Sequence, residues 1–246
     1  MPCERVDYNY VFKKIHGGAS GKNTAHEFIY HSHTYRVIIN KDLFPDGCIE
    51  YSILQQVPNP SYVAPCIRGE VQNDLLYISN VEKHGRCVLP EISNYQGIVL
   101  LKYFLKLIKR KHPEITKTAL TDNAKTLCGR TKVNLSDMMM LIKGKPYYAM
   151  AGYKPDRRRY DDIYTYNQNI LSKLTWKDNI HKIKNLMKDH KIDVSQIEFP
   201  NIEMDYRKAM KFMFQKYCSD MAKILDYYLD IIDYKSMYGF EYTRQL

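Results

Sequence analysis

The sequence predicts a mixed α/β (α+β) fold in residues 1–155, with helices flanking a sheet, followed by an all-helical domain in residues 156–246. Two patterns carry this prediction. Apolar residues alternate between His26 and Asn80, as they do in half-buried strands, and from Ile98 onward they recur at helical spacing. The composition, with 45% hydrophobic and 26% charged residues, is that of globular proteins and excludes wholesale disorder.

The first part begins with strand-like runs that are separated by turns. The runs are centred on Phe28 and Tyr30, on Val37 and Ile39, on Ile49, Tyr51 and Ile53, and on Leu75 to Ile78. Turn-forming residues separate them at Pro45-Asp46-Gly47, Pro58-Asn59-Pro60 and Gln72-Asn73-Asp74. We expect these runs to form an antiparallel meander.

Helical spacing follows the meander. Ile98, Leu101, Phe104, Leu105 and Ile108 form an apolar stripe opposite several lysines, which predicts a helix ending at His112-Pro113. The pattern then predicts a strand over Thr116 to Leu120, a polar loop through Cys128-Gly129 and a helix from Leu135 to Lys143. This order of elements indicates a mixed sheet with helices on its faces.

A charged, proline-marked break at Lys154-Pro155-Asp156-Arg157-Arg158-Arg159 predicts the boundary between the two domains. Beyond it the alternation of strands disappears, and the apolar stripe between Trp176 and Lys188 predicts a helix. A longer helix is expected after Pro200, capped by Asn201 and spanning about 203–235.

The longer helix carries a heptad stripe. Its members are Met210, Phe214, Tyr217, Met221, Ile224, Tyr228 and Ile231. Such a stripe is typical of a buried helix face, which we favour, and also of an intermolecular seam. Self-association or a protein partner at this helix is therefore a second interpretation.

The net charge of +10 indicates attraction for polyanions. Neither a signal-peptide pattern nor an apolar run of about 20 residues, the length of a membrane span, is present. Six scattered cysteines without a Cys-x-x-Cys pair are typical of reduced thiols. We therefore expect a cytoplasmic protein without membrane attachment.

Three segments resemble the GNAT (N-acetyltransferase) superfamily. Tyr147-Tyr148-Ala149-Met150-Ala151-Gly152-Tyr153 is similar to the family's aromatic-Tyr-x-x-x-Gly-aromatic signature. Ala119 to Ala124 resembles the central strand, which ends in an asparagine, here Asn123. Asn94-Tyr95-Gln96-Gly97 stands where the family places its pyrophosphate loop. The order of these elements agrees over about Asp74 to Lys154, a third of the chain.

Gly144-Lys145-Pro146-Tyr147-Tyr148 is similar to an ending found in divergent GNAT-like proteins of large DNA viruses. The 22 tyrosines, with frequent lysine, isoleucine and asparagine, are typical of AT-rich coding genomes. We therefore expect a viral protein, located in the host cytoplasm or the virion.

The resemblance implies that the chain binds acetyl-CoA and transfers the acyl group to an amine. Backbone N–H groups of Gln96, Gly97 and Ile98 would bind the pyrophosphate, because a helix N-terminus attracts anions. Asn123 would contact the cofactor. The chain departs from the family where Ile98 or Val99 stands at a position usually held by a small residue.

Acyl transfer needs a proton donor for the leaving thiolate and a base for the amine. The resemblance assigns the donor role to Tyr148, which also fits ordinary core packing. Glu82 is the first candidate for the base and Glu91 the second, although a solvated surface charge is the favoured interpretation for each.

Other constellations are weaker. His31 and His33 share a strand face, but a zinc site needs four identifiable ligands, so we expect no metal. A thiol hydrolase would need a nucleophilic cysteine, Cys87 or Cys128, beside His84 and Asp122. We favour the interpretation that both cysteines are buried or incidental thiols. The lysine-rich segment from Lys173 to Lys191 and the arginines at 157–159 could bind nucleic acid, although a solvated surface is the favoured interpretation.

Two further functions therefore stand beside the acyltransferase. One is a non-enzymatic viral structural or scaffold protein with a degenerate GNAT fold, and the other is a basic protein associated with nucleic acid. Fold alone does not decide among them.

Overall fold

A computed structural model describes residues 24–30, 33–43, 49–55, 66–81 and 96–246 of the chain. The described residues form a mixed α/β structure, as predicted. The strands are β1 Thr24–Tyr30, β2 His33–Leu43, β3 Ile49–Gln55, β4 Ile67–Gln72, β5 Leu75–Val81, β6 Lys117–Thr121, β7 Lys125–Cys128, β8 Thr131–Asn134, β9 Lys154–Pro155 and β10 Glu241–Gln245. The α-helices are α1 Gln96–Lys111, α2 Leu135–Lys143, α3 Arg158–Lys173, α4 Trp176–Asp189, α5 Tyr206–Lys216 and α6 Cys218–Ile231, and Tyr147–Ala151 and Val194–Gln196 form short 3-10 helices.

The chain divides into two compact units. Unit 1 comprises Met1–Thr121 with Thr243–Leu246, and unit 2 comprises Asp122–Tyr242. The sequence instead places a boundary near Pro155, and that boundary stays a prediction.

Unit 1 contains the predicted meander, together with one strand, β4, that the sequence did not predict. Strands β1 to β5 are antiparallel neighbours in chain order. Strand β6 then pairs with β5 in parallel, after the crossover through α1, and β10 lies next to β6 in the sheet. The part of β10 in this unit is tied to it by Leu246 N–H, which donates to the Thr116 carbonyl at 2.9 Å.

Helix α1 covers one face of this sheet. Its apolar stripe is buried as predicted, and Phe104 packs against Gly69 of β4. A Cβ atom at Gly69 would stand 2.8 Å from Phe104 Cε1, so the close approach of helix and sheet requires glycine there. The core of unit 1 therefore lies between α1 and strands β3 to β6.

Unit 2 begins with a hairpin where the sequence predicted a polar loop. Strands β7 and β8 pair from Lys125–Asn134 to Cys128–Thr131, so the loop prediction is wrong. Each strand has only four residues, and one face is solvated, which hides the alternation. Helix α2 has the predicted bounds and is capped by Asn134, whose side chain accepts from the N–H groups of Ser136 and Asp137.

The predicted long helix is two helices. The chain breaks at Tyr217, where φ is −129° and ψ is 39°, so α5 and α6 are separate. Asp205, not Asn201, caps α5, because its side chain accepts from Lys208 N–H. Most of the heptad stripe is buried inside unit 2, which agrees with the favoured interpretation.

The segment after residue 155 is helical as far as Ile231 and then contains strand β10. Helices α4 and α6 contain residues of the predicted stripes, whereas α3 and β10 were not predicted. The prediction that residues 156–246 are entirely helical is wrong for Glu241–Gln245, which form strand β10. That these residues form a separate helical domain stays a prediction.

The prediction of six reduced thiols is wrong. A disulfide joins Cys128 at the end of β7 to Cys218 at the start of α6, across 90 residues of sequence. Cys66 is disulfide-bonded as well. The Cα atoms of Cys128 and Cys218 lie 5.0 Å apart only because of the tertiary fold. The spacing of the cysteines in the sequence therefore could not reveal this pairing. Among the described helices, none combines the length and the apolar character that crossing a membrane requires.

Candidate functional site

The parallel pair of unit 1 opens at one end. Leu75 to Ile78 of β5 pair with Lys117 to Leu120 of β6, and there the ladder ends. Strand β5 nevertheless continues to Val81, three residues farther. The backbone groups of β5 beyond Ile78 therefore have no ladder partner in β6.

A bulge accompanies this opening. On its other edge, β5 pairs with β4, where Ile78 is opposite Gly69 and Asn80 is opposite Arg68. Ser79 is therefore an extra residue in β5. A bulged strand bends and twists more strongly at that point, which accounts for the end of the pairing with β6.

The N-terminus of α1 lies at the level of this opening. The other end of α1 lies near the start of β5, since Thr116 N–H, five residues after the helix, donates to the Asp74 carbonyl at 3.1 Å. The 16 residues of α1 measure about 24 Å and the seven of β5 about 23 Å, so the helix begins near the end of β5.

The electrostatics of α1 favour an anion at its beginning. The first turn contains no acidic residue, and the last turn contains Lys109, Arg110 and Lys111. Ile98 and Val99 are buried, so their bulk is directed into the core of unit 1. Gln96, Gly97 and Ile98 are thus the first residues of a helix whose N-terminal N–H groups an anion can bind.

Unit 2 contains Tyr148 in a cluster of aromatic rings. The Tyr148 ring lies 5.1 Å from Tyr147, 6.4 Å from Tyr153 and 6.5 Å from Tyr242, measured between centroids. The 3-10 helix that contains it ends at Gly152, whose φ of 86° favours glycine. Burial, and then the charge of Asp122, raises the pKa of Tyr148 well above its ordinary value.

Asp122, which directly follows β6 in the chain, is a buried and hydrogen-bonded carboxylate. Its Oδ2 accepts from Ser136 Oγ, its Oδ1 accepts from Ala124 N–H at 3.2 Å, and Ser136 Oγ in turn accepts from Tyr147 N–H at 3.1 Å. Burial raises the pKa of Asp122 to about 7, although these hydrogen bonds oppose the shift.

A second buried carboxylate fixes the segment after α6. Asp137 Oδ1 accepts from the Tyr234 hydroxyl and from Met237 N–H, each at 3.0 Å, and its Oδ2 accepts from Ser236 Oγ at 2.6 Å. Because every contact is made to the residues just before β10, this network is structural.

The predicted site residues are distributed as follows. Gln96, Gly97 and Ile98 belong to unit 1, Tyr148 is buried in unit 2, and Asn123 is exposed in unit 2. Glu82 and Glu91 lie outside the described residues. The sequence did not single out Ser79 or Tyr242, although the alternation of Phe240 and Tyr242 with polar neighbours could have indicated a strand.

The weaker constellations find little support. His31, His84 and Cys87 lie outside the described residues, and Cys128 is in a disulfide, which removes it as a nucleophile. The part of the chain that is described holds no group of three or more potential metal ligands. Arg157 pairs with Glu241 at 2.9 Å, so its charge is partly neutralised.

Comparisons with models of protein families, with curated proteins and with solved structures find no significant match.

Proposed function

We propose that the chain is a GNAT-like protein that binds an acyl-coenzyme A and transfers its acyl group to an amine. The observation that carries this proposal is the opening between β5 and β6, with the extra residue Ser79 at its origin. An extended ligand with amide groups can hydrogen-bond to the free edge of β5, as an added strand would. The pantetheine arm of coenzyme A is such a ligand.

The start of α1 supports the same ligand. A pyrophosphate bound there would receive hydrogen bonds from the N–H groups of Gln96, Gly97 and Ile98 and benefit from the positive end of the helix dipole. No acidic residue in the first turn opposes it.

Tyr148 supplies the proton donor in this proposal. Its raised pKa keeps the hydroxyl protonated at neutral pH, so that it holds a proton to give. Glu82 and Glu91 remain the proposed bases for the amine.

The test is thermal unfolding with increasing acetyl-CoA, since a ligand that binds only the folded state raises the midpoint. We expect a saturable rise for the wild type and a much smaller one for Gln96→Glu, which adds a negative charge to the first turn of α1. The apo protein should not lose stability, because a carboxylate suits the start of a helix. Lys106→Gln changes the net charge equally at an exposed position farther along α1 and should keep the full rise. The absence of a rise in the wild type at millimolar ligand would exclude the proposal.

A scaffold role is the second candidate, and a specific feature of α6 favours it. Tyr227 and Ile231, four residues apart, are 53% and 49% exposed. Such a pair can contact a partner protein, and sedimentation velocity of Tyr227→Glu against wild type tests for self-association. Nucleic-acid binding through the lysines of α4 stays a prediction, which the salt dependence of binding would test.

A further inference from the structure

The hairpin β7–β8 of unit 2 is a two-stranded ribbon with one basic, exposed face. Lys125 and Leu127 of β7 and Lys132 of β8 are exposed, whereas Cys128 and Val133 are buried. Leu127 is directly opposite Lys132 in the ladder, so these three exposed side chains belong to one face of the ribbon.

The positive charge of the ribbon is not neutralised among the described residues. From Lys125 to Asn134 the sequence has three basic residues, including Arg130 in the turn, and no acidic one. The carboxylates that flank this segment, Asp122 and Asp137, are both buried. Within the described ranges, none of the three basic side chains forms an ion pair.

The same face presents apolar and aromatic surface. Leu127, beside the two lysines, is 67% exposed, so it contributes little to the core of unit 2. Tyr238 is 44% exposed, and its ring lies 4.7 Å from the Lys125 ammonium. A ligand of this face therefore meets positive charges with an apolar side chain between them.

The fold fixes the ribbon at both of its ends. Near the turn, the disulfide from Cys128 to Cys218 attaches β7 to the start of α6. At the other end, Leu135 N–H donates to the Ala124 carbonyl at 2.9 Å. A surface that is held in one conformation loses little conformational entropy when it binds a partner.

We propose that the ribbon β7–β8 binds double-stranded DNA with its basic face in the major groove. The major groove of B-DNA admits a two-stranded ribbon, and the basic side chains neutralise phosphates, assisted by the net charge of +10. Leu127 contacts the 5-methyl group of thymine, the apolar group that this groove exposes. This surface is independent of the proposed acyl transfer and of the lysines of α4.

Two other polyanions fit the ribbon less well. The major groove of double-stranded RNA is deep and narrow, so side chains cannot read it. An anionic membrane surface binds amphipathic elements through a broad apolar face, and one leucine supplies little of that area.

The first experiment measures binding of a short DNA duplex by fluorescence anisotropy over a series of salt concentrations. Arg130→Gln/Lys132→Gln should reduce the slope of log K against log salt by about 2, since each phosphate contact contributes about 0.9. Lys182→Gln/Lys188→Gln, the matched control, removes the same charge from exposed positions of α4 and should keep the wild-type slope. An equal reduction in the control would show that net charge and not the ribbon binds DNA, which would overturn the proposal.

The second experiment tests the placement in the major groove. A duplex in which uracil replaces thymine lacks only the 5-methyl groups, and the wild type should bind it about fourfold more weakly, the value of one buried methyl group. Leu127→Ser should bind both duplexes equally. Equal affinity of the wild type for the two duplexes, or for double-stranded RNA and DNA, would contradict the placement. Binding to phosphatidylserine vesicles but to no duplex would assign the ribbon to a membrane surface instead.

Discussion

At the scale of single residues, the most consequential feature is a carboxyl group whose ionisation the fold opposes. Asp122 is completely buried in unit 2, and its pKa is raised from 3.8 to about 7. Glu50 of unit 1 shows the same behaviour, since burial raises its pKa from 4.5 to about 7 although Arg68 opposes the shift. Such groups make stability depend on pH in the opposite direction from an ordinary salt-bridged carboxylate.

We predict that the free energy of unfolding falls as pH rises from about 4 to 7. Below about pH 4 both states are protonated at Asp122, whereas between about pH 4 and 7 only the folded state keeps the proton. Each such pH unit therefore removes up to about 1.4 kcal/mol of stability for each group. Urea unfolding at several pH values measures this slope.

Asp122→Asn should remove the share of the slope that Asp122 contributes, because an amide does not ionise. Glu50→Gln should remove a separate share, and the two changes should add, since the residues belong to different units. A slope identical in Asp122→Asn and wild type would show that Asp122 ionises normally.

At the scale of elements, local periodicity predicted four of the five strands of the meander, all except β4, and helices α1, α2 and α4. These elements each present a regular apolar face to one core, and that regularity is visible in the sequence. The hairpin β7–β8 and the strand β10 escaped because they are short and partly solvated. The break between α5 and α6 escaped because the stripe of buried residues continues through it.

The candidate site was predictable only in part, because only its local patterns are visible in the sequence. The beginning of α1 could be located from its sequence pattern, and the Tyr148 segment from a resemblance. The bulge at Ser79 depends on how β5 pairs with β4, and the burial of Tyr242 depends on what surrounds it in three dimensions. Neither property has a counterpart in local sequence.

Gly69→Ala should destabilise the chain by about 1–3 kcal/mol, as overpacking of a core does. The added methyl group would stand 2.8 Å from Phe104 Cε1 and 3.0 Å from Leu76 Cδ1. Adding Phe104→Leu should recover part of the loss, because the smaller side chain vacates the contact. Guanidinium unfolding of Gly69→Ala, of Phe104→Leu and of the double variant completes a double-mutant cycle. If Gly69→Ala costs the same stability in the wild type as in Phe104→Leu, α1 does not pack closely on β4.

Helix α6 allows a matched pair of substitutions that separates burial from assembly. Met221→Glu places a carboxylate in a completely buried position and should cost more than about 3 kcal/mol or prevent folding. Tyr227→Glu, on the exposed side of the same helix, should change stability by less than about 0.5 kcal/mol. Circular dichroism during urea unfolding measures both, and comparable stabilities would show that the heptad stripe is not the buried face.

At the scale of the whole molecule, the disulfide between Cys128 and Cys218 restricts the unfolded chain. It closes a loop of 90 residues, for which chain entropy predicts a contribution of about 4–5 kcal/mol, with measured values commonly at about 2–4 kcal/mol. We expect Cys128→Ser/Cys218→Ser to lose an amount in this range in urea unfolding without reductant.

Reductant should lower the stability of the wild type by more than that of the double variant, because only the wild type has this bond to lose. The comparison of the two proteins matters, since Cys66 is disulfide-bonded as well and responds to reductant in both. Rapid alkylation of Cys128 and Cys218 in the unreduced native protein would show that the bond is absent. Its presence would indicate an oxidising environment or a thiol oxidase acting on the chain, in contrast to the predicted cytoplasmic setting.

The position of β10 also has a consequence for how the protein is made. The neighbour of β6 in the sheet is β10, which is translated only after residues 122–240. On the ribosome, the growing chain therefore carries β6 with an open edge throughout the synthesis of unit 2, and such edges attract other strands. Nascent chains arrested before residue 241 should accordingly bind chaperones or aggregate, whereas the released chain closes that edge with its own backbone.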